Sequence, residues 1–223
     1  MNGAYFITGT DTGVGKTSVA VALLQAAEKR GLSTAAAKPV AAGCEAGADG
    51  LRNDDALLLQ QASTTALSYE QINPFALQPA IAPHFAAARD NLQLDAKDLA
   101  SHCQSILDLK ADFTVIEGAG GWRVPLNNSE TFADMAKRLK VPVILVVDIK
   151  LGCLNHALLS AEAIRADGLQ LAAWVANQAT GSDECHDEMV ADLEHRLACP
   201  LLGNLPHCLD QAELASHLDI DLL

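Results

Sequence analysis

Residues 9–17 read GTDTGVGKT, a lysine and a hydroxyl residue set behind three glycines, and this combination of residue types suits a bound triphosphate. Glycines at 9, 13 and 15 let the backbone curl with its N–H groups pointing inward. Lys16 can then reach the outer phosphates, and Thr17 can offer its hydroxyl to Mg²⁺. The apolar run at 4–7 comes just before the loop and a second at 19–24 just after it, so strand, turn and helix follow in the order a phosphate cradle needs. One position departs from the common spacing. Five residues before the glycine of GKT stands Thr10, and Gly9 lies one residue further upstream.

Other residues able to do chemistry follow apolar runs. Glu117 ends the run TVI and precedes a glycine-rich turn, the placement by which a carboxylate sits beside nucleotide-bound Mg²⁺. Asp54 and Asp55 can supply a second carboxylate or cap a helix beginning near Ala56, and spacing alone does not choose between them. Lys38 precedes Pro39, which forces an extended exit for the chain and a defined direction for the side chain. It reads either as a cation for a second, anionic substrate or as an ordinary lysine at a strand end. Asn177 can read a base, and the following Gln178-Ala179-Thr180 lacks the lysine and acid of a guanine reader, so adenine is preferred. Gly152 to Asn155 lead into a helix whose free N–H groups can bind an anion, or else Asn155 is a plain cap. The histidines, His84 and His156 among them, lack metal-ligand spacing.

These residues need a frame that brings strand ends together. Apolar runs suited to strands buried on both faces recur at 4–8, 33–38, 112–117, 142–148 and 170–176. Helical patterns lie at 17–30, ended by Gly31, at 95–109, at 131–139, opened by Thr131 and stopped before Pro142, at 155–167, ended by Gly168, and at 184–197. The alternation predicts an α/β fold, a doubly wound, mostly parallel sheet flanked by helices, with the ligand beyond the carboxyl ends of the strands. All 223 residues are expected to form one domain. Segments 43–50 and 73–83 read as surface loops beside the site and as candidate lids.

Composition excludes several partners. With 15 Lys and Arg against 28 Asp and Glu, the formal charge of −13 repels nucleic acid and anionic membrane surfaces. A protein so acidic must gather cations where it holds a nucleotide, and Lys16 and Lys38 are the pair to do it. The six cysteines (Cys44, Cys103, Cys153, Cys185, Cys199 and Cys208) include no C-x-x-C pair, so they read as reduced thiols. The first strand begins almost at Met1, and no apolar stretch reaches the roughly 18 residues of a membrane span, so a cytoplasmic protein is expected.

Taken together, GTDTGVGKT at 9–17, AKPV at 37–40, GLRN at 50–53 with Asp55, VIEGAGGW at 115–122, KLGCLNHA at 150–157 and WVAN at 174–177 resemble the dethiobiotin synthetase family, a group of P-loop enzymes, over nearly the whole chain. The resemblance implies ATP- and Mg²⁺-dependent carboxylation of 7,8-diaminononanoate with CO₂. A carbamate is phosphorylated to a carbamic-phosphoric anhydride, and ring closure gives dethiobiotin, ADP and phosphate. It implies that Lys16 and Lys38 are catalytic, the first at the β- and γ-phosphates and the second at the carbamate, with Thr17, Asp55 and Glu117 on the metal. The nucleotide falls to Gly13, Val14, Gly15, Lys16, Thr17 and Ser18, together with Glu117, Gly118, Ala119 and Gly120. Asn177, Gln178, Leu205 and Pro206 face the adenine. Thr12, Lys38, Gly152, Cys153 and Asn155 bind the substrate, the last three from a second subunit, which implies a homodimer with sites at its interface.

Ala42 stands where that family usually carries a serine, so one hydroxyl contact to substrate is missing, and Cys44 is a candidate replacement. Two other readings share the phosphate loop. One is a related synthase acting on a different amine or acid. The other is a dimeric ATPase switch, whose usual basic surface or amphipathic tail is not found in the acidic C-terminal sequence LDIDLL.

Overall fold

The computed structural model describes residues 3–181, 184–207 and 210–223. Ten strands occur among them: β1 (Gly3–Gly9), β2 (Thr34–Ala37), β3 (Val40–Ala42), β4 (Glu45–Gly47), β5 (Gly50–Arg52), β6 (Phe75–Leu77), β7 (Phe113–Gly121), β8 (Val143–Asp148), β9 (Leu171–Asn177) and β10 (Leu201–Leu205). Six of them form the main sheet in the order β10-β9-β8-β1-β7-β2, with every neighbouring pair parallel. Strands of this kind are buried on both faces. Val143–Asp148 is buried at every position, and Thr34–Ala37 likewise.

The helices are α1 (Lys16–Lys29), α2 (Asp54–Ala62), α3 (Tyr69–Ile72), α4 (Pro83–Arg89), α5 (Ala96–Leu107), α6 (Phe132–Leu139), α7 (Cys153–Ala166) and α8 (His186–Leu197), followed by α9 (Gln211–Leu214). α5 packs on α6, α7 on α8, and α1 on α2, so helices cover the sheet and one continuous apolar core runs from Tyr5 to Ile220. β1 lies between β7 and β8, at the point where the winding reverses: the chain first builds β2 and β7 on one side and then β8, β9 and β10 on the other. The turn after β1 therefore opens into the crevice where such sheets take their ligands.

The five strands expected from the apolar runs all form. The sixth, Leu201–Leu205, escapes the pattern because it is a short edge strand broken by Gly203. That glycine is obligatory, since a Cβ there would meet the His217 carbonyl oxygen at 2.0 Å. The segments read as loops are partly paired: 43–50 falls in the β4–β5 hairpin, and 73–83 contains β6, which pairs with β3. Ladders of three residues are too short to show a periodicity. α2 starts at Asp54 with Asn53 as its cap, so neither Asp54 nor Asp55 is the capping residue. α7 starts at Cys153 behind Gly152, whose φ of 96° makes it the N-cap, so Asn155 is inside the helix and caps nothing.

Cys103 is fully buried and its thiol is pushed up to about 12 by that burial, while burial also pushes Cys199 up to about 11. Cys44, Cys103 and Cys199 carry thiols, in keeping with the reduced state read from the sequence, whereas Cys208 lies outside the described residues. No helix among the described residues is long and apolar enough to cross a membrane.

Candidate active site

The phosphate loop holds its shape through contacts particular to each glycine. Gly13 and Gly15 have φ values of 76° and 86°, the left-handed region that a side chain disfavours. Gly9 is needed for a different reason: a Cβ there would strike Val14 Cγ2 at 2.5 Å, because Val14 turns inward beneath the loop. This explains how the loop keeps its curl with threonine at position 10. Lys16 Nζ bridges back to the Asp11 carbonyl at 3.0 Å, arching over the concavity. Burial pulls the Lys16 ammonium below the usual lysine value, the Glu117 charge opposing it.

Beside the loop four side chains meet. Thr17 Oγ1 donates to Glu117 Oε1 at 2.9 Å, and Lys38 Nζ donates to the same oxygen at 2.5 Å and to Asp55 Oδ2 at 2.7 Å. Each comes from a separate element: Thr17 from the first turn of α1, Glu117 from within β7, Lys38 from just after β2, and Asp55 from the first turn of α2. Glu117 is fully buried and Lys38 nearly so, while Asp55 is partly open. Burial pulls Lys38 down, but Glu117 and Asp55 outweigh it and hold the ammonium above its usual value. Burial likewise raises Asp55, and Lys38 outweighs it in turn, leaving that carboxyl below its usual value.

Glu117 Oε2 is buried with no hydrogen-bond partner. An orphaned carboxylate oxygen is costly unless a cation completes it. With the Thr17 hydroxyl and Asp55 alongside, the donors are hard oxygens of the kind Mg²⁺ prefers. Among the described residues no three His, Cys, Asp or Glu are grouped to hold a metal unaided. Two carboxylates and a hydroxyl with the remaining positions left to phosphate and water is the usual Mg²⁺ arrangement, so the residues fit that ion.

The cleft in front of these groups has a volume of about 590 Å³. Thr12, Gly13, Gly15, Lys16, Thr17, Ser18, Lys38, Asp55, Glu117, Ala119 and Gly120 all line it. Its far wall is apolar, built from Ala41, Ala42, Ala80, Ile81, Ala82, Pro83 and Val124. Gly118 sits behind this surface because Phe6 packs against it, 2.9 Å from where a Cβ would be. Asn177 is at the end of β9 and donates from Nδ2 to the Val14 carbonyl at 2.8 Å, a link to the phosphate loop that sequence reasoning did not foresee. Gln178 N donates to the Leu205 carbonyl at 3.0 Å, which puts Gln178, Leu205 and Pro206 together beside Asn177 at the end of the sheet. Gly152, Cys153 and Asn155 do not line this cleft; they form the start of α7, next to Leu151, which is 91% exposed. Cys44 is buried with its thiol on the Ala41 carbonyl at 3.4 Å, so it does not replace a hydroxyl at Ala42.

Sequence reasoning also passed over Tyr69 and Asn73, which grip the backbone around Lys38 and Asp55. Nothing but a buried, hydrogen-bonding pair four residues apart could have flagged them.

A family model described as an AAA domain matches residues 3–213. An ATP-dependent dethiobiotin synthetase BioD from Pseudomonas paraeruginosa (strain DSM 24068 / PA7) is 55% identical over 219 residues, 97% of this chain and 96% of that protein. The protein of the same name from Cellvibrio japonicus (strain Ueda107) is also 55% identical over 219 residues, with the same coverage. That of Pseudescherichia vulneris is 44% identical over 226 residues, 100% of this chain and 94% of its own. Among solved structures, the MinD cell division protein of Aquifex aeolicus superposes with a TM-score of 0.56 at 14% identity, covering 96% of this chain and 85% of that one. The signal recognition particle receptor FtsY from Elizabethkingia anophelis in complex with GDP gives 0.59 at 15% identity, covering 100% of this chain and 61% of that one. At such identities these two bear on the fold alone, which is the P-loop NTPase type.

Proposed function

The chain belongs to the ATP-dependent dethiobiotin synthetase family, and from that premise we infer that it closes the ureido ring of dethiobiotin from 7,8-diaminononanoate, CO₂ and ATP, with Mg²⁺, releasing ADP and phosphate. The observation that carries this reading is the position of Lys38: a buried ammonium between two carboxylates, beside the phosphate-loop lysine and at the foot of an apolar wall. Two lysines serve two anions, the transferring phosphoryl group and a carbamate. The apolar wall suits the aliphatic chain between the diamine and its distant carboxylate.

One amine of the substrate captures CO₂ as a carbamate, and Lys38 holds that anion beside the γ-phosphate. A carbamate oxygen attacks the γ-phosphorus, the bond to the β-bridging oxygen breaks, and ADP leaves. Lys16 and the inward N–H groups of residues 13–17 balance the charge that builds on the phosphates. The neighbouring amine then attacks the carbonyl carbon, and phosphate departs as the ring closes. Thr17, Asp55 and Glu117 would hold Mg²⁺, which would supply charge neutralisation for the phosphoryl transfer. The rest of the site's task is orientation and exclusion of water from the mixed anhydride.

Asn177 gives one amide hydrogen to Val14 and keeps a second N–H and an acceptor oxygen, and that oxygen suits the amino group of adenine. Gln178, Leu205 and Pro206 would complete the base site. The start of α7 lies away from its own cleft next to an exposed leucine, which favours its serving the site of a second copy in a homodimer. The continuous core favours one domain, and a cytoplasmic location accords with the reduced thiols.

The test is direct. Purified protein given ATP, Mg²⁺, bicarbonate and 7,8-diaminononanoate should form dethiobiotin and ADP in equal amounts. ADP formed independently of the diamine would instead indicate a nucleotide switch, and product from another amine alone a related synthase.

A further inference from the structure

Lys38 and Asp55 reach the same point from different elements, and behind the site their backbones are joined. The Lys38 N–H donates to the Ile72 carbonyl at 2.8 Å, and the Lys38 carbonyl accepts from Asn73 Nδ2 at 2.7 Å. Asn73 Oδ1 in turn accepts from the Tyr69 hydroxyl at 3.0 Å. That hydroxyl accepts from the Asn53 N–H at 2.8 Å. Asn53 caps α2 through its side chain to the Ala56 N–H, and Asp55 stands in the first turn of that helix. One phenolic oxygen thus connects the lysine arm to the carboxylate arm. Arg52 lies over the ring of Tyr69, 4.2 Å from its centroid, and fixes its plane.

We propose that Tyr69 is a positioning residue for the reaction, its hydroxyl setting the separation of the Lys38 ammonium and the Asp55 carboxylate through Asn73 and Asn53 without touching substrate. Tyr69 and Asn73 are both buried, so each hydrogen bond in the relay stands in a medium of low polarity where it is directional and not readily replaced by water. Removing the hydroxyl while keeping the ring orphans the Asn53 N–H and the Asn73 Oδ1 together, and the two arms then relax independently. Only the far ends of the relay meet the phosphate loop, at Thr17 through Asp55 and Glu117, the groups assigned to the metal, so affinity for ATP without Mg²⁺ should be spared while transfer to the carbamate suffers. The idea rests on the functional reading above, in which Lys38 aligns the carbamate.

The experiment uses Tyr69→Phe, Asn73→Ala and the double variant, with three readouts: steady-state dethiobiotin formation, ATP affinity by calorimetry without Mg²⁺, and the Lys38 ammonium signal in ¹H–¹⁵N spectra of protein without ligands. In Tyr69→Phe, kcat should fall about tenfold, as small misplacements of reacting groups do, with ATP affinity unchanged and the Lys38 signal displaced. The double variant should turn over no more slowly than Asn73→Ala, since the relay is already cut. Unchanged kcat with an unmoved Lys38 signal overturns the proposal. So does a fall in ATP affinity that matches the fall in kcat, which would mark general loosening. If the wild type forms no dethiobiotin, the functional reading fails by itself, and the Lys38 signal decides the relay: displacement in Tyr69→Phe upholds it, and no displacement overturns it.

Discussion

Lys38 Nζ lies 2.5 Å from Glu117 Oε1, the oxygen that also accepts the Thr17 hydroxyl. A divalent ion held by these carboxylates would therefore compete with the lysine. At an effective dielectric near 20, two unit charges 4 Å apart repel by about 4 kcal/mol, and a divalent ion doubles this. Mn²⁺ should accordingly bind poorly to the wild type without nucleotide. In Lys38→Met it should bind at least about tenfold more tightly, a gain of about 1.4 kcal/mol or more. The same variant strands Glu117, so without metal it should lose about 3 to 5 kcal/mol of stability, and Mn²⁺ should raise its melting temperature far more than that of the wild type. Electron paramagnetic resonance titration of Mn²⁺ with both proteins checks this, and equal affinities would defeat it.

Asn177 and the phosphate loop form a second dependent pair. The Nδ2 atom that bonds the Val14 carbonyl at 2.8 Å is also only 2.1 Å from where a Cβ on Gly15 would be. Asn177→Ala removes the bond and should weaken ATP binding by about 1 to 3 kcal/mol, the usual cost of orphaning a buried partner. Gly15→Ala should weaken binding further, since it displaces Asn177 and strains the backbone as well. Combining the two changes relieves the clash but not the left-handed backbone at φ 86°, which costs a side chain roughly 1 to 2 kcal/mol, so recovery should be partial. Calorimetric ATP titrations of the three variants distinguish these outcomes.

The parts of the molecule legible in the sequence are those with long or dense signals. Val143–Asp148 reads as a buried strand because every residue up to the aspartate is apolar, and the phosphate loop because its glycines, lysine and threonine have fixed offsets. Glu117 could be placed near Thr17 because the apolar run before it leads to the rim of the phosphate loop, although β7 continues past it to Gly121. What stayed hidden depends on pairings distant in sequence. The contact between Lys38 and Asp55 arises from the way α2 is hung on Tyr69, and neither residue type nor spacing encodes that. The strand at Leu201–Leu205 was masked because Gly203 answers to His217 and not to a local turn. The apolar wall at Ala80 to Pro83 reads as a loop in the sequence because its residues follow no period.

Ala42 lines the cleft together with Lys38 and brings no polar group to it, and the Cys44 thiol nearby is turned to the Ala41 carbonyl. Ala42→Ser should therefore add a hydrogen bond to substrate worth about 0.5 to 1.5 kcal/mol, lowering KM for the diamine roughly two- to twelvefold. ATP parameters should not change. A KM for the diamine that is unchanged or raised would show that the missing hydroxyl is made good by some other group.

Acid should loosen the helix that follows the site-bearing turn of β7. Asp134 Oδ2 accepts from the Thr131 N–H at 2.8 Å and from the Thr131 hydroxyl at 2.9 Å, closing the first turn of α6, while Lys137 pairs with the other oxygen at 2.7 Å. Burial raises the Asp134 carboxyl, but Lys137 and Thr131 outweigh it and hold it at about 2, below the usual 3.8. Because the folded value lies below the unfolded one, the stabilisation is fully present above pH 3.8 and is lost as pH falls toward 2. Asp134→Ala should cost about 0.5 to 2 kcal/mol near neutrality, the range for losing a helix cap. Phe132, Met135 and Ala136 anchor α6 in the core, so the loss should be felt as global stability and not as local fraying. Urea unfolding of both proteins between pH 7 and pH 2 tests the sign: the gap between them should narrow below about pH 4. A gap that stayed constant to pH 2 would mean that the ionised carboxylate contributes nothing to the cap.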